Sequence, residues 1–171
     1  MASLEDLITP EDVRNFRDLV EVEAIKKLKA RYFRAVDTFD LEGWLAVFTD
    51  DAVMEFEPTV GGAAMLSATE NTVVKGKDKF RAWWEGNPDR GTSVHHGHMP
   101  EIDIVSPTEA RGIWAMEALV ESGNSSFHGF GHYRETYRKE GGEWRIATLL
   151  LTRLRFEQLS RLSRRPPASM S

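Results

Sequence analysis

The sequence predicts an α+β domain in which helices come first and a long, mostly antiparallel sheet follows. Three observations carry this. Apolar residues recur at helical spacing between Val13 and Val36. From Ser93 onward the period falls to two, punctuated by turns at Ser106-Pro107-Thr108 and Glu140-Gly141-Gly142. With 171 residues, 41% of them hydrophobic and 29% charged, the chain suits one soluble domain with a core and a small cavity.

The first helix is expected to start at Thr9-Pro10-Glu11-Asp12: a capping hydroxyl, proline at the first helical position, then acids against the positive end of the dipole. Its apolar stripe runs through Val13, Phe16, Val20, Ile25, Leu28, Tyr32, Phe33 and Val36, and Lys26, Lys27, Lys29, Arg31 and Arg34 read as the solvated face. Asp40 caps a short second helix containing Trp44, Leu45 and Phe48, which ends at Thr49-Asp50-Asp51. A strand follows from Ala52 to Glu57. Pro58 to Thr72, with Gly61-Gly62, is the longest irregular stretch and the candidate lid over a pocket. A third helix after Gly76 carries Phe80, Trp83 and Trp84 and stops near Gly86-Asn87-Pro88.

In the sheet region, Trp114, Met116 and Ala118 share one face of one strand. On the last strand Trp144, Ile146, Thr148 and Leu150 alternate with Ala147, Leu149, Leu151 and Arg153. Both faces are largely apolar, so this strand should be central or covered on both sides. One domain is expected over residues 1–162. The stretch 163–171, with Ser163-Arg164-Arg165-Pro166-Pro167, lacks periodicity and reads as a loose tail.

Composition also excludes. Without cysteine there is no disulfide, thiolate metal site or cysteine nucleophile. A net charge of -5 argues against a nucleic-acid partner. No apolar run approaches the roughly 18 residues of a membrane span. Met1-Ala2-Ser3-Leu4-Glu5-Asp6 has neither a basic nor an apolar leader, so a cytoplasmic protein is expected.

The candidate chemistry centres on Asp37, one turn after Phe33. It either sits in a turn beside Asp40 or points into the interior, where a carboxylate is costly unless paired. Tyr32 and Phe33 tie this stretch to the interior. A partner is available in Ser93-Val94-His95-His96-Gly97-His98, where alternation sends His96 and His98 to one face and His95 to the other. With Asp37 beside it, His95 would be held in one tautomer and could act as a general base. A metal reading, with His96, His98 and either His128 or His132, lacks carboxylates at ligand spacing, and no metal is expected. Arg153 is either an interface arginine paired with Glu157 or a cation that holds a substrate oxygen. The aromatic set Trp44, Phe56, Trp83, Trp84 and Trp114 divides between core and pocket wall.

Several segments together resemble a known family: Ala24-Ile25-Lys26-Lys27-Leu28-Lys29-Ala30-Arg31-Tyr32-Phe33-Arg34, then Asp37, Phe48-Thr49-Asp50-Asp51-Ala52, and the string from Ser93 to Ile102. Gly131-His132-Tyr133 and Gly142-Glu143-Trp144-Arg145-Ile146 complete the set. The chain from about Val22 to Gln158 resembles the SnoaL-like branch of the nuclear-transport-factor-like superfamily. Within that branch it looks most like bile-acid dehydratase, and more distantly like scytalone dehydratase and hexachlorocyclohexane dehydrochlorinase.

The resemblance implies a cone-shaped α+β barrel, three N-terminal helices on a curved sheet, and a cofactor-free lyase built as a homotrimer. It maps an Asp–His dyad onto Asp37 and His95, a helix tyrosine onto Tyr32 and a late arginine onto Arg153. Phe33, Trp44, Phe56, Trp114, Met116 and His132 are then expected to line a pocket for a small apolar substrate. Ala118 and Phe56 stand where two of these relatives carry an acid and a tyrosine, which implies a more apolar pocket. The expected reaction is dehydratase-type β-elimination, with an isomerase or cyclase using the same proton abstraction as its neighbour. The competing expectation is a non-catalytic structural or binding subunit of the same fold.

Overall fold

The computed structural model describes residues 8–58, 70–86, 91–121 and 126–159. Helix α1 spans Pro10–Asp37 and starts as expected. The Thr9 hydroxyl accepts from the Asp12 amide at 3.1 Å and Asp12 accepts from the Thr9 amide at 2.9 Å, a reciprocal cap with Pro10 just inside it. The anchoring of α1 begins at Glu21, which accepts from Lys139 Nζ and Trp144 Nε1, both at 2.6 Å. Ile25, Leu28, Lys29, Tyr32 and Ala35 are buried, whereas Val13, Phe16 and Val20 are exposed. Periodicity correctly marked a helix, but at about 42 Å it extends beyond the surface that covers it. Lys29 is a second correction. It does not lie on the solvated face; it is fully buried, four residues after Ile25 and three before Tyr32, on the inward stripe.

The chain turns through Phe39, whose φ is 57°, and α2 spans Leu41–Ala46. Asp40 caps it, accepting from the Gly43 amide at 2.9 Å. Phe48 is not helical as expected: strand β1 already begins there and covers Phe48–Phe56. The reason is non-local, because Phe48 pairs with Ile146 and the Ile146 amide donates to the Val47 carbonyl at 2.8 Å. Strand β2 (Thr72–Lys75) runs antiparallel to β1. Helix α3 (Lys77–Glu85) follows Gly76 and buries Phe80 and Trp84. The lid expected at Pro58–Thr72 falls mainly on residues 59–69, and that segment, Asn87-Pro88 and the tail at 163–171 lie outside the described residues.

Four long strands follow among the described residues: β3 (Thr92–Ser106), β4 (Glu109–Glu121), β5 (Ser126–Glu140) and β6 (Glu143–Leu159). The sheet order is β2-β1-β6-β5-β4-β3, antiparallel except where β1 meets β6. β6 therefore lies inside the sheet, as its apolar faces required. Among the described residues three helices pack on this curved, unclosed sheet, the α+β arrangement read from the sequence. Among the described residues no helix is long and apolar enough to cross a membrane.

Two irregularities in β6 decide which side chains face the helices. Tyr137 pairs with Ile146 but Thr136 with Thr148, so Ala147 is bulged. Trp144 and Ile146 consequently share the buried face with Leu149 and Leu151, not with Thr148 and Leu150 as simple alternation implied. Further along, Gly131 pairs with Arg153 and Phe130 with Arg155, leaving Leu154 bulged and exposed while Arg153 stays on the helix side.

Candidate active site

The strand register lays the helix-facing side chains out in rows. His95 stands opposite Ala118, which stands opposite Gly129. In the next row Gly97, Met116, Gly131 and Arg153 follow one another, and beyond it Trp114, Tyr133, Leu151 and Phe56. Glycine and alanine in the first two rows let larger side chains lie close over the sheet. Gly97 has no room for a side chain: a Cβ there would meet the Phe33 ring at 2.7 Å and Trp114 at 3.1 Å. Over Gly129 the space is used differently, since a Cβ there would stand 2.9 Å from Nη1 of Arg153. The guanidinium thus reaches from β6 across β5 toward the His95 row.

Asp37 ends α1, and its carboxylate grips β3. Oδ1 accepts from the Ser93 hydroxyl at 2.9 Å and lies 2.6 Å from His95 Nδ1, while Oδ2 accepts from the His95 amide at 2.9 Å. Asp37 is thus half-buried against β3, and Asp40 supplies the cap of the next helix. Burial opposes the charged form of Asp37, but the hydrogen bonds from the His95 ring, the His95 amide and Ser93 outweigh it and hold the carboxyl below its ordinary value. The His95 side chain is only 15% exposed. With Nδ1 engaged as donor, Nε2 carries no hydrogen bond to any described residue. The Phe33 ring lies nearly parallel to the imidazole, 6.4 Å away at 11°.

Tyr32 and Arg153 join this site. Tyr32 is buried with its ring edge-on to Tyr133 at 6.0 Å and to Phe33 at 5.5 Å. Burial, together with the nearby Tyr133 and Glu135, raises its phenol well above the ordinary value, so Tyr32 is a proton-bearing hydroxyl at neutral pH. Arg153 Nε is buried without a hydrogen-bond partner. Burial lowers the guanidinium from its ordinary value against the pull of Tyr133 and Glu57, and its backbone amide donates to Glu57 at 2.8 Å. A buried cation with an orphaned N–H is the kind of group that a ligand oxygen satisfies.

Of the expected lining residues, Phe33, Phe56, Trp114 and Met116 face the same side as His95, and Phe56 stacks on Trp83 at 5.9 Å. Trp44 sits in a ring cluster with Phe48, Phe80 and Trp84, behind Tyr32. His132 is a correction. It pairs with Ala115 and lies on the sheet face opposite Tyr133, because successive strand residues alternate. His96 and His98 also face away from Asp37, with His98 and His128 both beside Glu117. Among the described residues, no group of three or more His, Asp or Glu is arranged to hold a metal ion.

The structure adds residues that received no role from the sequence. Tyr133 is buried between Tyr32, Phe33 and Lys29 and within electrostatic reach of Arg153 and Asp37. Burial is the main cause that raises its phenol above the ordinary value; Arg153 opposes that shift and Glu135 adds to it. Ser93 anchors Asp37, and its position two residues before His95 on one strand was the available signal.

Because the folded pKa of Asp37 is depressed, the stability it contributes is present above its unfolded pKa and is lost as pH falls through the folded value. Asp37→Asn should cost about 1–3 kcal/mol at neutral pH. In urea denaturation the gap from the parent should narrow below about pH 4. A gap that stays constant into acid would contradict this electrostatic account.

The SnoaL-like domain family matches residues 17–149. A probable cyclase, FGR4 of Gibberella zeae, is 26% identical over 140 residues, covering 80% of this chain and 93% of the relative. Among solved structures, a protein assigned as a scytalone dehydratase in Novosphingobium aromaticivorans superposes with a TM-score of 0.71 at 22% identity, covering 90% of this chain and 97% of that one. The hexachlorocyclohexane dehydrochlorinase LinA-type3 of Novosphingobium barchaimii LL02 gives 0.70 at 20% identity, covering 90% and 99%. At these identities the superpositions show the fold alone. The domain match spans most of the described helices and strands, and the chain belongs to the SnoaL-like family.

Proposed function

We propose that this protein is a cofactor-free lyase that carries out dehydratase-type β-elimination on an apolar cyclic or ketonic substrate. The observation that carries the reading is the 2.6 Å contact between His95 Nδ1 and Asp37, which leaves Nε2 on a shielded imidazole available as a base. Nε2 takes the proton from the carbon next to a carbonyl, and the electron pair moves onto the carbonyl oxygen as an enolate. Tyr32, Tyr133 and Arg153 supply donors and positive charge for that oxygen. As the enolate collapses to the unsaturated ketone, the bond to the β-hydroxyl breaks and His95 returns its proton to it as water. Asp37 steadies the imidazolium throughout and does not take the proton.

Support comes from the family and from its similar proteins, which include proteins named for dehydration, dehydrochlorination and cyclisation. The relative named as a cyclase favours a second reading, in which the same enolate cyclises or is reprotonated elsewhere instead of expelling a group. The test is a screen of hydroxylated steroid ketones and aromatic ketones bearing a hydroxyl β to the carbonyl. His95→Ala and Asp37→Asn should each lower kcat by roughly 10²–10⁴-fold while circular dichroism stays unchanged. Near-parental rates in either variant contradict the mechanism.

A homotrimer in the cytoplasm is part of the same proposal. The sheet face away from the helices carries Ile113, Leu119, Phe130 and Leu150, all half-buried, and Val94, 39% exposed, which suits packing against other copies. Light scattering should give a mass three times that of one chain. A monomer at micromolar concentration would rule the assembly out.

A further inference from the structure

All three tyrosines of this chain, Tyr32, Tyr133 and Tyr137, surround one buried ion pair. Lys29 Nζ lies 2.5 Å from Glu135 Oε1, and the two side chains are 1% and 0% exposed. The same ammonium stands 3.7 Å from the Tyr133 ring centre, 4.2 Å from that of Tyr32 and 4.8 Å from that of Phe33. The second oxygen of Glu135 accepts from the Tyr137 hydroxyl at 2.5 Å, and the Tyr137 oxygen accepts from Trp114 Nε1 at 2.8 Å.

Stability alone explains this arrangement poorly. A buried ion pair exchanged for well-packed neutral side chains is often neutral or stabilising, and position 29 lies on an otherwise apolar stripe. Burial lowers the Lys29 ammonium from its ordinary value, against the pull of the Glu135 charge and hydrogen bond. What the pair adds is orientation. A cation is attracted to ring faces, and here one ammonium touches rings from both α1 and β5, so turning either tyrosine loses contact with the charge. Those rings are the wall beside His95: Phe33 lies parallel to the imidazole, and Tyr32 and Tyr133 carry the hydroxyls of the site.

We propose that Lys29, held by Glu135, is a positioning residue that fixes the rings of Tyr32, Tyr133 and Phe33 and thereby aims the two hydroxyls of the active site. Lys29 touches no substrate and acts through the rings. Its effect on turnover rests on the proposed function; its hold on the rings does not.

The test is the double variant Lys29→Met with Glu135→Gln, which removes both charges and keeps an acceptor for Tyr137. The full-length protein is labelled with ¹³C only in tyrosine, so every ring signal comes from this cluster. The expected result is a near-parental thermal midpoint, shifted or averaged signals for Tyr32 and Tyr133, and unchanged circular dichroism. On whichever ketone the parent turns over, kcat should fall about tenfold or more with KM within about threefold. An unchanged tyrosine spectrum, or changed spectra with parental kcat, overturns the positioning role. If the double variant does not fold, the parent decides: the ε-methylene protons of one lysine must be displaced far upfield by ring currents, and their absence overturns the proposal. Failure of the functional reading looks different, because His95→Ala would then keep parental turnover while the tyrosine signals still depend on Lys29.

Discussion

Asp37 stands at the seam between α1 and β3, and its two oxygens receive three hydrogen bonds from that strand: one from Ser93 and two from His95. The contact is structural and chemical at once. It closes the end of the long helix onto an edge strand of the sheet, and it chooses which imidazole nitrogen is occupied. Removing the acid would loosen the helix end and free the ring to rotate. The site and the fold therefore share one anchor, and the carboxylate tolerates burial because its acceptors are matched by donors.

Around that anchor the sheet is shaped by what it lacks. Gly97, Ala118, Gly129 and Gly131 occupy the helix-facing positions nearest His95 and Arg153, so the guanidinium can lie across β5 where a side chain on Gly129 would have displaced it. The bulge after Arg153 lets β6 send that arginine inward although the strand beyond it shifts register. On the far side of the same wall, Lys29 and Glu135 place a second buried charge pair against the tyrosine rings. A half-buried acid, Asp37, and a buried one, Glu135, each matched to a partner from a distant segment, hold opposite sides of one aromatic wall.

Much of this was legible in the sequence. The start at Thr9-Pro10, the switch from helical to alternating pattern, the interior position of β6 and the opposite facing of His95 and His96 all follow from local rules. What escaped depended on partners far along the chain. Lys29 has the spacing of a buried residue, but its charge suggested solvent, and Glu135, 106 residues away, is what makes burial tolerable. Tyr133-x-Glu135-x-Tyr137 was the matching signal, an acid on an otherwise aromatic face. Phe48 went to a strand because of a parallel pairing with Ile146 that no local pattern announces. Val13, Phe16 and Val20 show that periodicity reports an apolar stripe but not whether anything covers it. His132 follows from parity once Tyr133 is known to point inward.

The most direct measurement is the tautomer of His95 in its neutral form, read from long-range ¹H–¹⁵N correlations on histidine-labelled protein. The proton should reside on Nδ1, facing Asp37, with Nε2 giving the signal of an unprotonated ring nitrogen. A proton found on Nε2 would mean that the ring is turned or differently bound, and the imidazole could not serve as the base of this site.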